Sequence, residues 1–174
     1  MEIKLIKDLI RKQYQFNLKF AERLVSDVPQ EKMSKPAGDG LENHPSFTLG
    51  HLTTASAMTV EDLGGIYDVP DGWKDLFQRK GPGDPRKPDL DESLYPAKDL
   101  LLQELRRQHE LVISELENVN DDFLLNSCKW RFEHFFPTLL DLVTFMCVSH
   151  EIMHLSQLSA WRRAMGYSSA LAAL

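Results

Sequence analysis

Cysteine is scarce in this chain: Cys128 and Cys147 stand alone, with no C-x-x-C pairing. Two thiols so placed cannot form a disulfide framework, and they fit a reduced, cytoplasmic setting. No apolar run is long enough to cross a bilayer, so no membrane partner is expected. The opening residues, MEIKLIKDLIRKQY, alternate charged and apolar side chains at helical spacing, unlike a secretory leader. Positive charge is also in deficit. Lys and Arg number 20 against 26 Asp and Glu, a formal net charge of −6, and there is no long basic stripe. That balance argues against nucleic acid as a partner. Alternating β-branched runs of strand length are missing too, which argues against a sheet.

What is present suits one globular domain spanning residues 1–174, with 43% hydrophobic and 26% charged residues. Glycine and proline lay out the chain. Residues 64–96 carry ten of the 9 Gly and 9 Pro together and must be mostly loop, with at most a short helical turn at 73–78. Three stretches free of both residues have helical periodicity: 2–26, 97–119 and 138–165. The first places Ile3, Ile6, Ile10, Phe20 and Leu24 on one face. The last opens on Pro137 and a capping box from Thr138 and Asp141, and stops at Gly166. A shorter helix over 46–63 ends at Gly64-Gly65. The expected fold is therefore all-α: a four-helix bundle whose long crossover loop joins helices two and three across one end.

The last helix contains His150-Glu151-Ile152-Met153-His154, the H-E-x-x-H pattern of zinc proteases. Residues four apart stand one above the other on a helix, so two imidazoles can converge on one metal ion. With six histidines in the chain such spacing also arises by chance. Position weighs against chance, because the apolar stripe reads Leu139, Val143, Met146 or Cys147, His150, His154, Leu158, Trp161, Met165. Two adjacent core imidazoles leave several polar atoms in need of partners, and a metal ion satisfies both rings at once. A protease is the weaker reading. Its third ligand lies downstream, yet LSQLSAWRRAMGYSSALAAL offers no Asp, Glu, His or Cys, and no strand is expected to hold a peptide.

A third ligand must then come from upstream. His51, in PSFTLGHLTTASAMT, is best placed, near the start of helix two and beside Gly50, which permits close approach of another element. His44, before Pro45, reads as a solvated loop residue. His109 sits at the edge of the third helix's stripe, either half-buried at the surface or a reserve ligand. His134 lies in the aromatic loop WRFEHFFP, lining a pocket mouth or packing on those rings.

LGHL opening helix two and SHEIMHLSQLSAWRRAMG in helix four resemble the DinB/YfiT-like superfamily of metal-dependent proteins. The helix-four signature, H-E-x-x-H-x-x-Q-L followed by R-R-x-x-G, falls on His150, Glu151, His154, Gln157, Leu158, Arg162, Arg163 and Gly166. The resemblance implies a four-helix bundle holding one divalent ion through His51, His150 and His154, with zinc or nickel first and iron or manganese as alternatives. It also implies a homodimer. Some such proteins act with low-molecular-weight thiols on small molecules, which points to a thiol transferase or hydrolase.

Three neutral histidines leave an open position on the ion, where a thiol or a water becomes a nucleophile. Glu151, about 100° around the helix from His150, is a candidate general base; a solvated or helix-bridging glutamate is the plainer role. Gln157 can hydrogen-bond a ligand imidazole or simply pack. Cys147, on the histidine face, reads as a small core residue, or else as a soft ligand. The alternative to an enzyme is a metal-stabilised bundle with a binding, stress-response or regulatory role.

Overall fold

In the computed structural model, which describes residues 2–81 and 84–173, those residues form helices and no strand. In chain order they are α1 (Glu2–Val25), α2 (Pro45–Asp62), the short α3 (Trp73–Phe77), α4 (Lys98–Asn118), the single turn α5 (Asp121–Leu124), α6 (Leu139–Thr144) and α7 (Glu151–Ala164). A π-helical stretch, Phe145–His150, joins α6 to α7 without a break. None of these helices is long and apolar enough to cross a membrane.

Local chemistry sets both ends of this last, composite helix. Thr138 Oγ1 accepts from the Asp141 N–H at 3.2 Å while the Asp141 carboxylate accepts from the Thr138 N–H at 2.9 Å, the reciprocal capping box expected from the sequence. At the far end Gly166 takes φ +83°, a conformation that a Cβ would resist. There the Gly166 and Tyr167 N–H groups return to the Arg163 and Arg162 carbonyls.

The π-helical stretch was not foreseen, and it moves the register. In a regular helix, neighbours four apart drift by about 40° at each step. The wider π turn absorbs that drift, so Leu139, Val143, Cys147, Glu151 and Leu155 all stay buried on one face. The expected stripe through His150 and His154 is corrected accordingly. Both histidines are partly buried at the edge of the face, and Glu151 takes its centre. Widening a turn also disturbs the backbone ladder. Asn17, fully buried on α1, donates its Nδ2 to the Cys147 carbonyl at 3.1 Å and so satisfies an acceptor inside the stretch.

Two apolar clusters fix the helix directions. One joins Phe20 and Leu24 of α1 to Phe47 of α2, Leu101 of α4 and Trp161 of α7. The other joins Ile10 of α1 to Val60 of α2, Leu116 of α4 and Val143 of α6. Thus α1 and α6–α7 run one way while α2 and α4 run the other. Both α1 and α2 pack on α4 and α7, so they face each other across one diagonal of the bundle, and α4 faces α7 across the other. Parallel α2 and α4 need a connection as long as the bundle. The linking segment climbs along the helices instead of crossing one end as expected. Asp68 pairs with Arg107 in mid-α4 at 2.8 Å, and Trp73 and Phe77 are then buried beside Phe47 and Tyr95. Burial of those two rings is what draws the segment down onto α2. On α1, Ile6 lies outside the core expected for it, 37% exposed, and the buried face runs through Ile10, Tyr14, Asn17, Phe20 and Leu24.

Candidate metal centre

His51 stands in the second turn of α2, His150 closes the π-helical stretch, and His154 sits in the first turn of α7. One nitrogen from each ring lies within 4.8 Å of the others. Ring centroids are 4.6 Å apart for His51–His154 and for His150–His154, and 5.4 Å for His51–His150. The planes are inclined by 59° to 67°, so the rings converge and do not stack. Antiparallel α2 and α7 make this meeting of an early turn with a mid-helix pair.

His51 is oriented by backbone. Its Nδ1 lies 3.0 Å from the Phe77 carbonyl, and a carbonyl only accepts. The proton therefore sits on Nδ1, and Nε2 is left as a lone-pair donor, the arrangement usual for a metal-ligating histidine. Gly50 brings Phe77 there. A Cβ at residue 50 would fall 2.4 Å from carbons of the Phe77 ring, too close to fit. The close approach read from this glycine is real, but the neighbour is short α3 and not a bundle helix. Gly50→Ala should cost about 1–3 kcal/mol by overpacking and also loosen His51. Chemical denaturation together with a metal titration would check both effects; unchanged stability would show that Phe77 can move aside freely.

The Nδ1 atoms of His150 and His154 are buried and have no hydrogen-bond partner among the described residues. Unpaired buried polar atoms are costly, and a ligand that engages these rings removes part of that cost. Burial also keeps the rings neutral. It lowers His51, whose hydrogen bond to Phe77 partly opposes the shift. Burial, reinforced by His51, brings His150 down to about 4. Burial, with the charges of His51 and His150, brings His154 down to about 2. Neutral imidazole is the form that binds metal, so the donors are ready at neutral pH.

The same shifts predict acid lability. His44, lowered by burial to about 4, joins His150 and His154 in taking up protons in the unfolded chain before the folded one. Each contribution is complete above an unfolded value near 6.5 and is lost as pH falls toward the folded values. Metal-free protein should therefore lose stability steadily from about pH 6.5 to pH 4, measured as a falling urea midpoint. A flat midpoint over that range would contradict the burial of these rings.

The other residues singled out in the sequence separate clearly. His44 is 1% exposed and not solvated as expected: its Nδ1 accepts from the Phe47 N–H at 3.2 Å and caps α2. His109 is fully buried instead of lying at a surface edge. It stacks on Tyr14 at 3.7 Å, and its Nε2 lies 2.8 Å from Glu151 Oε1. Glu151 is 3% exposed, so its carboxylate makes a helix-to-helix contact and is not among the three clustered donors. Cys147 is buried, and its thiol is pushed up by burial and by the charge of Glu151. His134 is exposed. Gln157 accepts from Asn43 Nδ2 at 3.1 Å. Of the paired arginines, Arg162 is buried and forks onto Asp27 at 2.5 and 3.1 Å, tying the end of α7 to α1, whereas Arg163 is exposed.

Sequence reasoning missed the Phe77 carbonyl. Nothing along the chain announces that residue 77 folds back onto residue 51. Gly50 was the only local clue.

A bundle that gathers three imidazoles within 4.8 Å of one another defines a helical protein with a three-histidine cluster that could hold a metal ion. The profile of the DinB superfamily matches residues 13–158, and the chain belongs to that superfamily. Comparison with curated proteins gave no match.

Proposed function

We propose that the protein is a metal-dependent enzyme that transfers a small thiol to an electrophilic small molecule or hydrolyses such a molecule. His51, His150 and His154 would hold one divalent ion, zinc or nickel before iron or manganese. When bound, the ion supplies Lewis acidity, which makes a thiol or a water a better nucleophile at neutral pH. The observation that carries this reading is the convergence of three neutral rings, two of them with unpaired buried nitrogens. Membership of the superfamily supports it. The chain's own residues do the preparatory work. Phe77 sets the tautomer of His51. Glu151, held against His109, positions the turn between His150 and His154. Two extensive apolar clusters already join the helices, so an ion is not needed to staple them. This favours chemistry over a purely structural metal.

Protein purified without a nickel column should contain one divalent ion per chain. It should also conjugate cysteine to 1-chloro-2,4-dinitrobenzene, or hydrolyse a small activated ester, in a manner abolished by chelation. Metal-free protein with full activity would defeat the proposal. One ion per chain with neither activity would favour the metal-stabilised bundle.

Assembly as a cytoplasmic homodimer belongs to the same proposal. Leu5, Leu9 and Phe16 on α1 are 60%, 57% and 42% exposed, and Met153 on α7 is 49% exposed. Phe16, Ile152, Ser156 and Arg163 line a groove between α1 and α7. Sedimentation at micromolar concentration should give twice the 20.0 kDa chain mass; a monomer alone would refute it.

A further inference from the structure

Arg79 follows closely after the Phe77 carbonyl that orients His51, and its guanidinium carbon lies 4.2 Å from the centroid of the Phe47 ring. Phe47 in turn stacks on His51, with centroids 5.7 Å apart and planes within 10°. Arg79 and His51 thus both lie against the Phe47 ring. Arg79 Nη2 is buried with no hydrogen-bond partner among the described residues. The carboxylate whose charge reaches it, Asp84, is already engaged. Asp84 accepts from the Lys80 N–H at 2.9 Å and from Arg86 Nε at 3.0 and 2.9 Å. Glu151 is held at His109.

Asp84 is taken up by Lys80 and Arg86, three neutral imidazoles contribute no negative charge, and a bound divalent ion would add positive charge. A guanidinium has five donors in a planar fork matched to a carboxylate, and Arg79 gives none of them to a described protein acceptor. Burial and the charge of Arg86 press on its protonated state more than Asp84 and Tyr95 support it, and a bound anion would relieve that pressure.

We propose that Arg79 is the anion-recognition residue of this centre and selects small thiols or substrates that carry a carboxylate. The carboxylate pairs with the guanidinium while the reacting group lies at the three histidines. The inference rests on the metal-dependent reading given above.

The test uses the full chain loaded with cobalt(II) and reads thiolate-to-cobalt absorption, independent of turnover. Two probes are titrated, 3-mercaptopropionate and the neutral 2-mercaptoethanol; each releases its thiol proton to buffer on binding. Wild-type protein should bind the carboxylate probe at least about tenfold more tightly, as expected for a charge-assisted paired hydrogen bond. In Arg79→Gln that preference should fall toward one, with 2-mercaptoethanol binding unchanged within about twofold. A preference that persists in Arg79→Gln, or that is absent from wild type while 2-mercaptoethanol still binds, overturns the role of Arg79 and leaves the metal reading standing. Failure of wild-type protein to take up cobalt overturns both. If Arg79→Gln does not fold, Arg79→Lys carries the test, since it keeps a cation over Phe47 without the fork. Its preference must drop severalfold, and an unchanged preference overturns the proposal.

Discussion

His154→Ala is expected to lower divalent-metal affinity by roughly a hundredfold or more, measured by competition with a chromogenic chelator. His154 is the ring closest to both others, at 4.6 Å from each. Removing it leaves two donors and a wider opening. His51→Ala and His150→Ala should act in the same direction. His44→Ala should not, although His44 is buried one helical turn before Phe47 and is also neutral, because its Nδ1 is committed to capping α2. That substitution should cost about 1 kcal/mol of stability and leave metal affinity intact. Stability of the metal-free protein should discriminate further. Alanine at 154 deletes an unpaired buried Nδ1, so apo protein should lose little or nothing on substitution. Full metal affinity in His154→Ala would end the three-histidine assignment.

His109→Ala is expected to destabilise the protein by about 3–5 kcal/mol, read from urea denaturation of chelated protein. Residues from all four long helices meet at this point. Ser56 of α2 donates to the Leu52 carbonyl, so the Tyr14 hydroxyl of α1 donates to Ser56 Oγ at 2.7 Å. Tyr14 stacks on His109 of α4, which faces Glu151 of α7. Taking away His109 leaves a carboxylate that is 3% exposed without its partner, and it also removes the stacked ring. A buried carboxyl stripped of its neighbour costs far more than the intact contact contributes. For the same reason the double substitution His109→Leu, Glu151→Leu should recover most of the loss. A single-site loss under 1 kcal/mol would mean that water reaches Glu151 readily in the folded state.

Much of the architecture could be read along the chain because its causes are local. Helix α1 is bounded by the charged, apolar-periodic opening and by Pro29. Thr138 and Asp141 close a capping box within four consecutive residues, and Gly166 adopts the left-handed conformation that ends α7. The pairing of His150 with His154 is likewise a property of helical spacing, and with His51 it carried the resemblance to the superfamily that the family profile shows. Composition excluded a sheet and a membrane-spanning helix for equally local reasons.

Other features depend on contacts between distant residues, and periodicity cannot encode them. The π-helical turn requires Asn17 to reach the Cys147 carbonyl from another helix, and without that turn the buried face could not pass through Glu151. His109 became a core residue only because Tyr14 and Glu151 close on it from α1 and α7. His44 was drawn inside because its ring caps α2 and meets Tyr95 edge-on, with centroids 4.6 Å apart. The linking segment climbs the bundle because Trp73 and Phe77 gain more by burial against α2 than by remaining in solvent. That climb puts the Phe77 carbonyl on His51 and Arg79 over Phe47. Sequence alone thus determined the helices, their ends and the residue types able to bind a metal ion. Tertiary packing decided the tautomer of His51, the burial of Glu151 and the cation at the rim, because each depends on which side chains meet across the bundle.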